Sequence, residues 1–195
     1  VFLPGCNLRC PFCNVPHLMG RGSSAEQIPF ESVREMWREN ADWIDGVVVT
    51  GGEPLIHENL DDLLIEIKAL GFAARVETNG METERLESLI SRKLLDSVAM
   101  DVKAPLTGRY SDLAGRIVDT SRVRESIELI INSGVEHEFR TTVVSALLDA
   151  ADILDIARAL AGAERYVLQE FDPEFCVSPA LKACMDLPNE EEKST

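Results

Sequence analysis

The feature that most constrains the fold is a regular alternation of short apolar runs with longer amphipathic ones. Gly46 to Thr50 reads GVVVT, the pattern of a strand buried on both faces. Further strands are expected at Ala73–Thr78, Ser97–Val102, Glu138–Val144 and Arg165–Phe171, with an opening one at Val1–Leu3. Between them lie helical patterns at Pro29–Asn40, Leu60–Leu70, Glu84–Leu95, Arg122–Asn132 and Ala151–Leu160. Val33, Met36 and Trp37 share one face of the first helix, and Gly71 and Gly134 stand where helices stop. Strand–helix repeated six times predicts an α/β fold with a parallel sheet, a partial (β/α)6 barrel short of the closed eightfold form. The chain opens at Val1 inside an apolar run, so the first strand is expected to be truncated at its N-terminus. After Pro173 the pattern dissolves, dividing a core barrel over residues 1–172 from a partly ordered acidic tail over 173–195.

The 195 residues suffice for one well-cored domain. Acidic residues outnumber basic ones 34 to 19, a formal charge of −15 that repels a phosphate backbone and argues against a nucleic-acid partner. No apolar stretch approaches the length of a membrane span, and no signal-peptide pattern opens the chain. Five cysteines without a secretory signal fit a reducing compartment and metal or redox chemistry, so a cytoplasmic location is expected.

In parallel α/β folds the chemistry gathers at the carboxyl ends of the strands. Here the first strand is followed by PGCNLRCPFC, the second by GGEP and the third by TNG. The fourth ends in MDVK, the fifth carries EFRTT and the sixth LQEF.

Cys6, Cys10 and Cys13 are separated by three and then two residues. Thiolates suit iron–sulfur clusters, zinc or copper(I). A 4Fe–4S cluster ordinarily takes four cysteines, so three in one loop suggest a cluster with one iron left open. The competing reading is a structural zinc site completed by His17. It leaves unexplained the polar motifs at the ends of the next strands. Cys176 and Cys184 lie far off in the tail and read as unpaired thiols.

GCNLRCPFCN followed by VTGGEP resembles the radical S-adenosylmethionine (SAM) superfamily, in which an aromatic residue, here Phe12, precedes the third cysteine. More narrowly, VFLPGCNLRCPFC, VTGGEPLIHENL, VETNG, VAMDVKAPL, EFRTTVV and LQEF resemble the activating proteins of anaerobic ribonucleotide reductase and pyruvate formate-lyase, across residues 1 to 171. Asn14 departs from that pattern, where histidine is common.

The resemblance implies a 4Fe–4S cluster on Cys6, Cys10 and Cys13, with SAM chelated to the open iron. An electron then cleaves SAM to methionine and a 5′-deoxyadenosyl radical, which abstracts a hydrogen atom. It implies SAM contacts from Phe12, from Gly51, Gly52 and Glu53, from Glu77, Thr78 and Asn79, and from Lys103. Gly51 and Gly52, lacking side chains, are expected to let the backbone approach the ligand. Glu77 stands where related activases have aspartate, and Asp101 with Glu77 and Thr78 is expected to form a monovalent cation site. Arg140, Thr141, Thr142 and Gln169 interrupt apolar strands; pairing with one another and contact with SAM or substrate are both open for them. His57 receives no role.

The resemblance also implies a low-potential electron donor such as flavodoxin or ferredoxin. An open barrel without an added domain suits a protein segment entering from outside, so the first reading is an activase that installs a glycyl radical on a partner enzyme. A small-molecule enzyme resembling 7-carboxy-7-deazaguanine synthase shares GGEP, ETNG and DVK-like segments and is the second. A non-catalytic zinc-binding module is the third.

Overall fold

The computed structural model of the protein describes residues 1–20, 26–174 and 176–185. Six strands form one parallel sheet in chain order: β1 (Phe2–Leu3), β2 (Gly46–Gly51), β3 (Ala73–Thr78), β4 (Ser97–Asp101), β5 (Glu136–Val143) and β6 (Tyr166–Glu170). Strands β1 and β6 each pair on one side only, so the sheet stays open. The helices are α1 (Phe30–Glu39), α2 (Leu60–Ala69), α3 (Thr83–Ser91), α4 (Arg109–Ala114), α5 (Thr120–Ser133), α6 (Ala150–Ala159) and α7 (Pro179–Met185). Parallel neighbours need a crossover, and a helix in each connection supplies it. No helix among the described residues is long and apolar enough to cross a membrane.

Side chains alternate across a strand, and the two faces of this sheet differ in chemistry. Val47, Val49, Ala74, Val76, Val98, Met100 and Phe139 are buried, joining Leu64, Ile67, Leu86, Leu89, Ile127 and Ile130 from the helices in one core. Each such aliphatic side chain contributes about 1.5–3 kcal/mol by leaving water. The alternate positions carry Thr50, Arg75, Glu77, Asp101, Glu138 and Arg140, of which the charged ones are joined by ion pairs that run from strand to strand. This corrects one expectation: β2 is not buried on both faces. Val48, which alternates with the buried pair, keeps 40% of its surface exposed, because helices cover only one side of the sheet.

Two helices escape the sequence pattern. Helix α4 follows β4 and buries Tyr110, Leu113 and Ala114. It ends at Gly115, whose φ of +67° is left-handed and whose added Cβ would meet the Arg9 carbonyl oxygen at 1.9 Å. That carbonyl belongs to the cysteine loop, so α4 is packed directly under it. Helix α7 lies in the segment where the pattern was expected to dissolve. Ser178 at its start donates from its backbone N–H to the Pro11 carbonyl at 3.0 Å, and Cys176 and Leu181 are buried. The side chain of Cys184 and the acidic run at Glu190 to Glu192 lie outside the described residues. The helix expected over Glu84–Leu95 stops at Ser91, where Lys93 turns the chain at φ 56°. The other elements begin and end close to where their patterns do.

Candidate active site

The carboxyl ends of the strands surround a cavity of about 330 Å3. Its wall brings together Cys6, Cys10, Phe12 and Cys13 from the loop after β1, and Gly51 and Gly52 from the end of β2. Glu77, Thr78 and Asn79 come from β3, Asp101 and Lys103 from β4, Arg140 from β5 and Gln169 from β6. Of the residues expected at the site, Glu53 alone stays off this wall. Asn14, the departure from the activase pattern, lines it too, as do Thr50, Glu170, Phe171 and Asp172, which the sequence reading leaves without a role.

The cysteine loop is held by backbone bonds. Gly5 and Cys6 donate to the carbonyls of Leu18 and Met19, Arg9 donates to Ala114, and Cys13 donates back to Cys10. The GGEP segment continues the β1–β2 ladder into this loop, with Gly52 N–H bonded to the Leu3 carbonyl and Glu53 N–H to that of Gly5, both at 2.8 Å. Here the structure gives the paired glycines a reason that the sequence did not. A Cβ on Gly52 would lie 2.0 Å from the Gly5 carbonyl oxygen, and one on Gly51, at φ +117°, 2.5 Å from that of Leu3. Glycine is required for the backbone of the cysteine loop to approach, whatever ligand also comes near. His57 adds a side-chain tie, its ring Nε2 lying 2.7 Å from the Pro4 carbonyl oxygen.

Glu53 is fully buried beneath the wall. Its carboxylate accepts from Leu55 N–H at 3.1 Å, Thr78 Oγ1 at 2.8 Å and Asn79 N–H at 2.7 Å, and so locks the β2 exit to the β3 exit. Burial pushes this carboxyl up to about 7, against the pull of the Asn79, Thr78 and Leu55 donors. Asn79 carries the lock onward. Its amide donates to Asn7 Oδ1 at 2.7 Å and lies 3.9 Å from Cys6 Sγ.

The polar wall opposite the cysteines is a chain of charges. Arg140 Nη1 donates to Glu77 at 2.6 Å and its Nε to Asp101 at 2.9 Å, while Lys103 Nζ donates to the other Asp101 oxygen at 2.9 Å. Strand register creates part of this, since Asp101 and Arg140 sit at paired positions of β4 and β5. Burial disfavours the Lys103 charge, but Asp101 outweighs it and holds the ammonium well above the ordinary lysine range. Burial would likewise raise Asp101, yet Lys103 and Arg140 keep it below the ordinary carboxylate range. Of the strand-interrupting residues, Arg140 pairs with Glu77 and Asp101 rather than with Thr141, Thr142 or Gln169, and Arg140, Thr142 and Gln169 all line the cavity. Thr141 turns away, donating to the Val102 carbonyl at 2.8 Å and accepting from the Tyr166 hydroxyl at 3.0 Å.

These residues fit the cofactors that the resemblance implies. Three thiols from one loop face a shared cavity, and Cys176, the other free cysteine described, is buried off its wall. Burial raises the Cys6 thiol and pushes that of Cys10 up to about 11, so metal binding there must displace protons. A mononuclear zinc site fits less well. His17 is exposed and faces a different hollow, beside α1 and β2. Among the described residues no three His, Cys, Asp or Glu side chains converge on a point for one metal ion. Each thiolate of a cluster binds a different iron, which asks for no such convergence.

Lys103 is then the group suited to a ligand carboxylate on the far wall. Replacing it by Ala is expected to weaken SAM binding by about 2–5 kcal/mol, the scale for losing one partner of a desolvated charged contact. Equilibrium dialysis with labelled SAM measures this, and iron content must stay at the wild-type level for the result to count.

The chain as a whole is similar to known proteins. A relative from Methanocaldococcus jannaschii with the provisional name glycyl-radical enzyme activating enzyme is 33% identical over 98% of this chain and 80% of its own length. A 7-carboxy-7-deazaguanine synthase from Halobacterium salinarum is 41% identical, but over 39% of this chain and 29% of its own. Among solved structures, Streptococcus suis SuiB bound to the precursor peptide SuiA superposes with a TM-score of 0.70 at 17% identity. That match covers 88% of this chain and 38% of SuiB, and shows the fold. The family model described as the radical SAM superfamily matches residues 1–160, which include the cysteine loop and five of the six strands around the cavity. With that match and a relative 33% identical over 98% of this chain, the chain belongs to the radical SAM superfamily.

Proposed function

We propose that the protein is a glycyl-radical enzyme activase, acting through a 4Fe–4S cluster held by Cys6, Cys10 and Cys13 with SAM in the adjoining cavity. The observation that carries this reading is the relative of that name, similar over 98% of the chain rather than over a shared motif block. When bound, the cofactors supply one-electron reduction and hydrogen-atom abstraction.

The chain's own residues have separate tasks. The three thiolates hold the cluster, and the buried Leu8 and Phe12 keep water from it. Lys103 takes the SAM carboxylate, while Gly51, Gly52, Thr78, Asn79 and Gln169 shape the rest of the wall. Glu53 sets the distance between the β2 and β3 exits. The unpaired edges of β1 and β6 leave a lateral opening, bordered by Phe2 on one side and by Gln169, Glu170 and Asp172 on the other. A peptide loop can enter there; SuiB, of the same fold, is a protein known with its precursor peptide bound. A glycyl Cα–H is a suitable target, because the resulting radical delocalises over both flanking amides.

The test mixes reduced protein, SAM and a glycyl radical enzyme from the same cell without oxygen. The expected result is an electron paramagnetic resonance doublet on the partner, split by the remaining α-hydrogen, and cleavage of that chain at the glycine once oxygen is admitted. The local 41% identity to a 7-carboxy-7-deazaguanine synthase favours a second reading, a small-molecule substrate. SAM turnover driven by a pterin-like molecule, with no partner protein responding, establishes that one instead.

A further inference from the structure

The acidic residues Glu77 and Asp101 were expected, with Thr78, to hold a monovalent cation beside SAM. The geometry assigns that place to the protein itself: we infer that the Arg140 guanidinium is a built-in cation, and that the site binds SAM without a free monovalent ion. The inference rests on membership of the superfamily, not on the glycyl partner.

Four observations carry it. Arg140 bridges the two carboxylates, at 2.6 Å to Glu77 and 2.9 Å to Asp101, so its fork spans the gap an ion would fill. Both oxygens of each carboxylate already accept a donor. Those of Glu77 take Arg140 and the Thr50 hydroxyl, and those of Asp101 take Arg140 and Lys103. Arg75, which pairs with Glu138 at 2.5 Å, also lies 3.8 Å from the Glu77 oxygen that Arg140 holds, adding a second guanidinium to the neighbourhood. Thr78 is turned elsewhere, its hydroxyl committed to Glu53 at 2.8 Å. A sodium or potassium ion needs several oxygens at short range and no competing cation. Here it would meet two guanidinium groups and an ammonium. Glutamate rather than aspartate at position 77 fits this arrangement, since the longer side chain reaches the guanidinium from β3.

A fixed cation also has a positioning role. Arg140 ties β3, β4 and β5 together at the level of the cavity and holds Asp101 where it orients Lys103. Deleting its charge leaves two part-buried carboxylates facing the ligand. A free ion then has both a vacancy and a reason to enter.

The experiment measures SAM affinity of the reconstituted holoprotein by equilibrium dialysis, in potassium, sodium and choline chloride at equal ionic strength. Line broadening of the 23Na resonance by the same protein reports ion binding directly. Wild type is expected to bind SAM equally in all three salts and to leave the sodium line unbroadened. Arg140→Met is expected to bind SAM weakly in choline and to recover about tenfold with potassium or sodium, the worth of one charge-assisted contact. Arg140→Lys, which keeps the charge, should stay nearly independent of the salt. Tighter SAM binding by the wild type in potassium or sodium than in choline overturns the inference. So does an Arg140→Met variant that loses affinity equally in every salt. If Arg140→Met fails to fold, the wild-type salt series alone decides.

Discussion

Replacing any one of Cys6, Cys10 or Cys13 by Ala is expected to abolish the cluster, not to weaken it by degrees. Among the described residues three thiols on one loop leave no reserve, because Cys176, the other described free cysteine, is buried off the cavity wall. Alanine also leaves a gap in a loop whose backbone is tied to Leu18, Met19, Ala114 and Ser178. The loop therefore has little freedom to bring another ligand into place. Iron and acid-labile sulfide, measured after anaerobic reconstitution, should fall from near four of each per chain in the wild type to near background in each variant. Full iron in any single variant would mean that the ligand set has been misassigned. Stoichiometric zinc without sulfide in the wild type would return the loop to a structural role.

Gly52→Ala is expected to be among the most damaging changes outside the cysteines. The added methyl carbon would lie 2.0 Å from the Gly5 carbonyl oxygen and 2.6 Å from its carbon, and these are backbone atoms that cannot rotate away. Relief requires parting the cysteine loop from the β2 exit, which breaks the bonds from Gly52 N–H to Leu3 and from Glu53 N–H to Gly5. The cost should be about 3 kcal/mol, the upper end for overpacking a tight site. Urea unfolding of the iron-free chain reads this as a lower midpoint, and reconstitution reads it as reduced iron content. The same substitution at Gly108, where φ is −54° and a Cβ meets nothing within 4 Å, serves as the control for an added methyl without the contact. Equal midpoints for Gly52→Ala and the wild type would contradict the close approach.

How much of this was legible beforehand follows from what sequence periodicity can report. The four inner strands were visible because Val47, Val49, Val76, Val98 and Phe139 recur at strand spacing and bury their side chains against helices. Most of the site was visible too, since parallel strands deliver whatever follows them to one end of the sheet. What stayed hidden depends on partners across the fold. Nothing in GGEP reveals that Gly52 is pressed by Gly5, or that Glu53 turns down to Thr78 and Asn79 instead of lining the cavity. Arg140 reads as an interruption until β4 is laid beside β5 and Asp101 comes opposite. Helix α4 is only six residues long, too short for a periodic signal, although Gly115 was available as its stop. Helix α7 did leave a mark in Ser178 followed by Pro179, a common helix opening, which the weak periodicity after Pro173 obscured.

The central claim is that the cavity beside the cysteine loop holds SAM against an open iron. Its most direct test is the electron paramagnetic resonance spectrum of the anaerobically reduced holoprotein, recorded before and after SAM is added. The expected result is a reduced 4Fe–4S signal whose shape changes on addition of SAM in the wild type, with the change requiring more SAM in Lys103→Ala. A reduced cluster whose spectrum is the same with and without saturating SAM would contradict it.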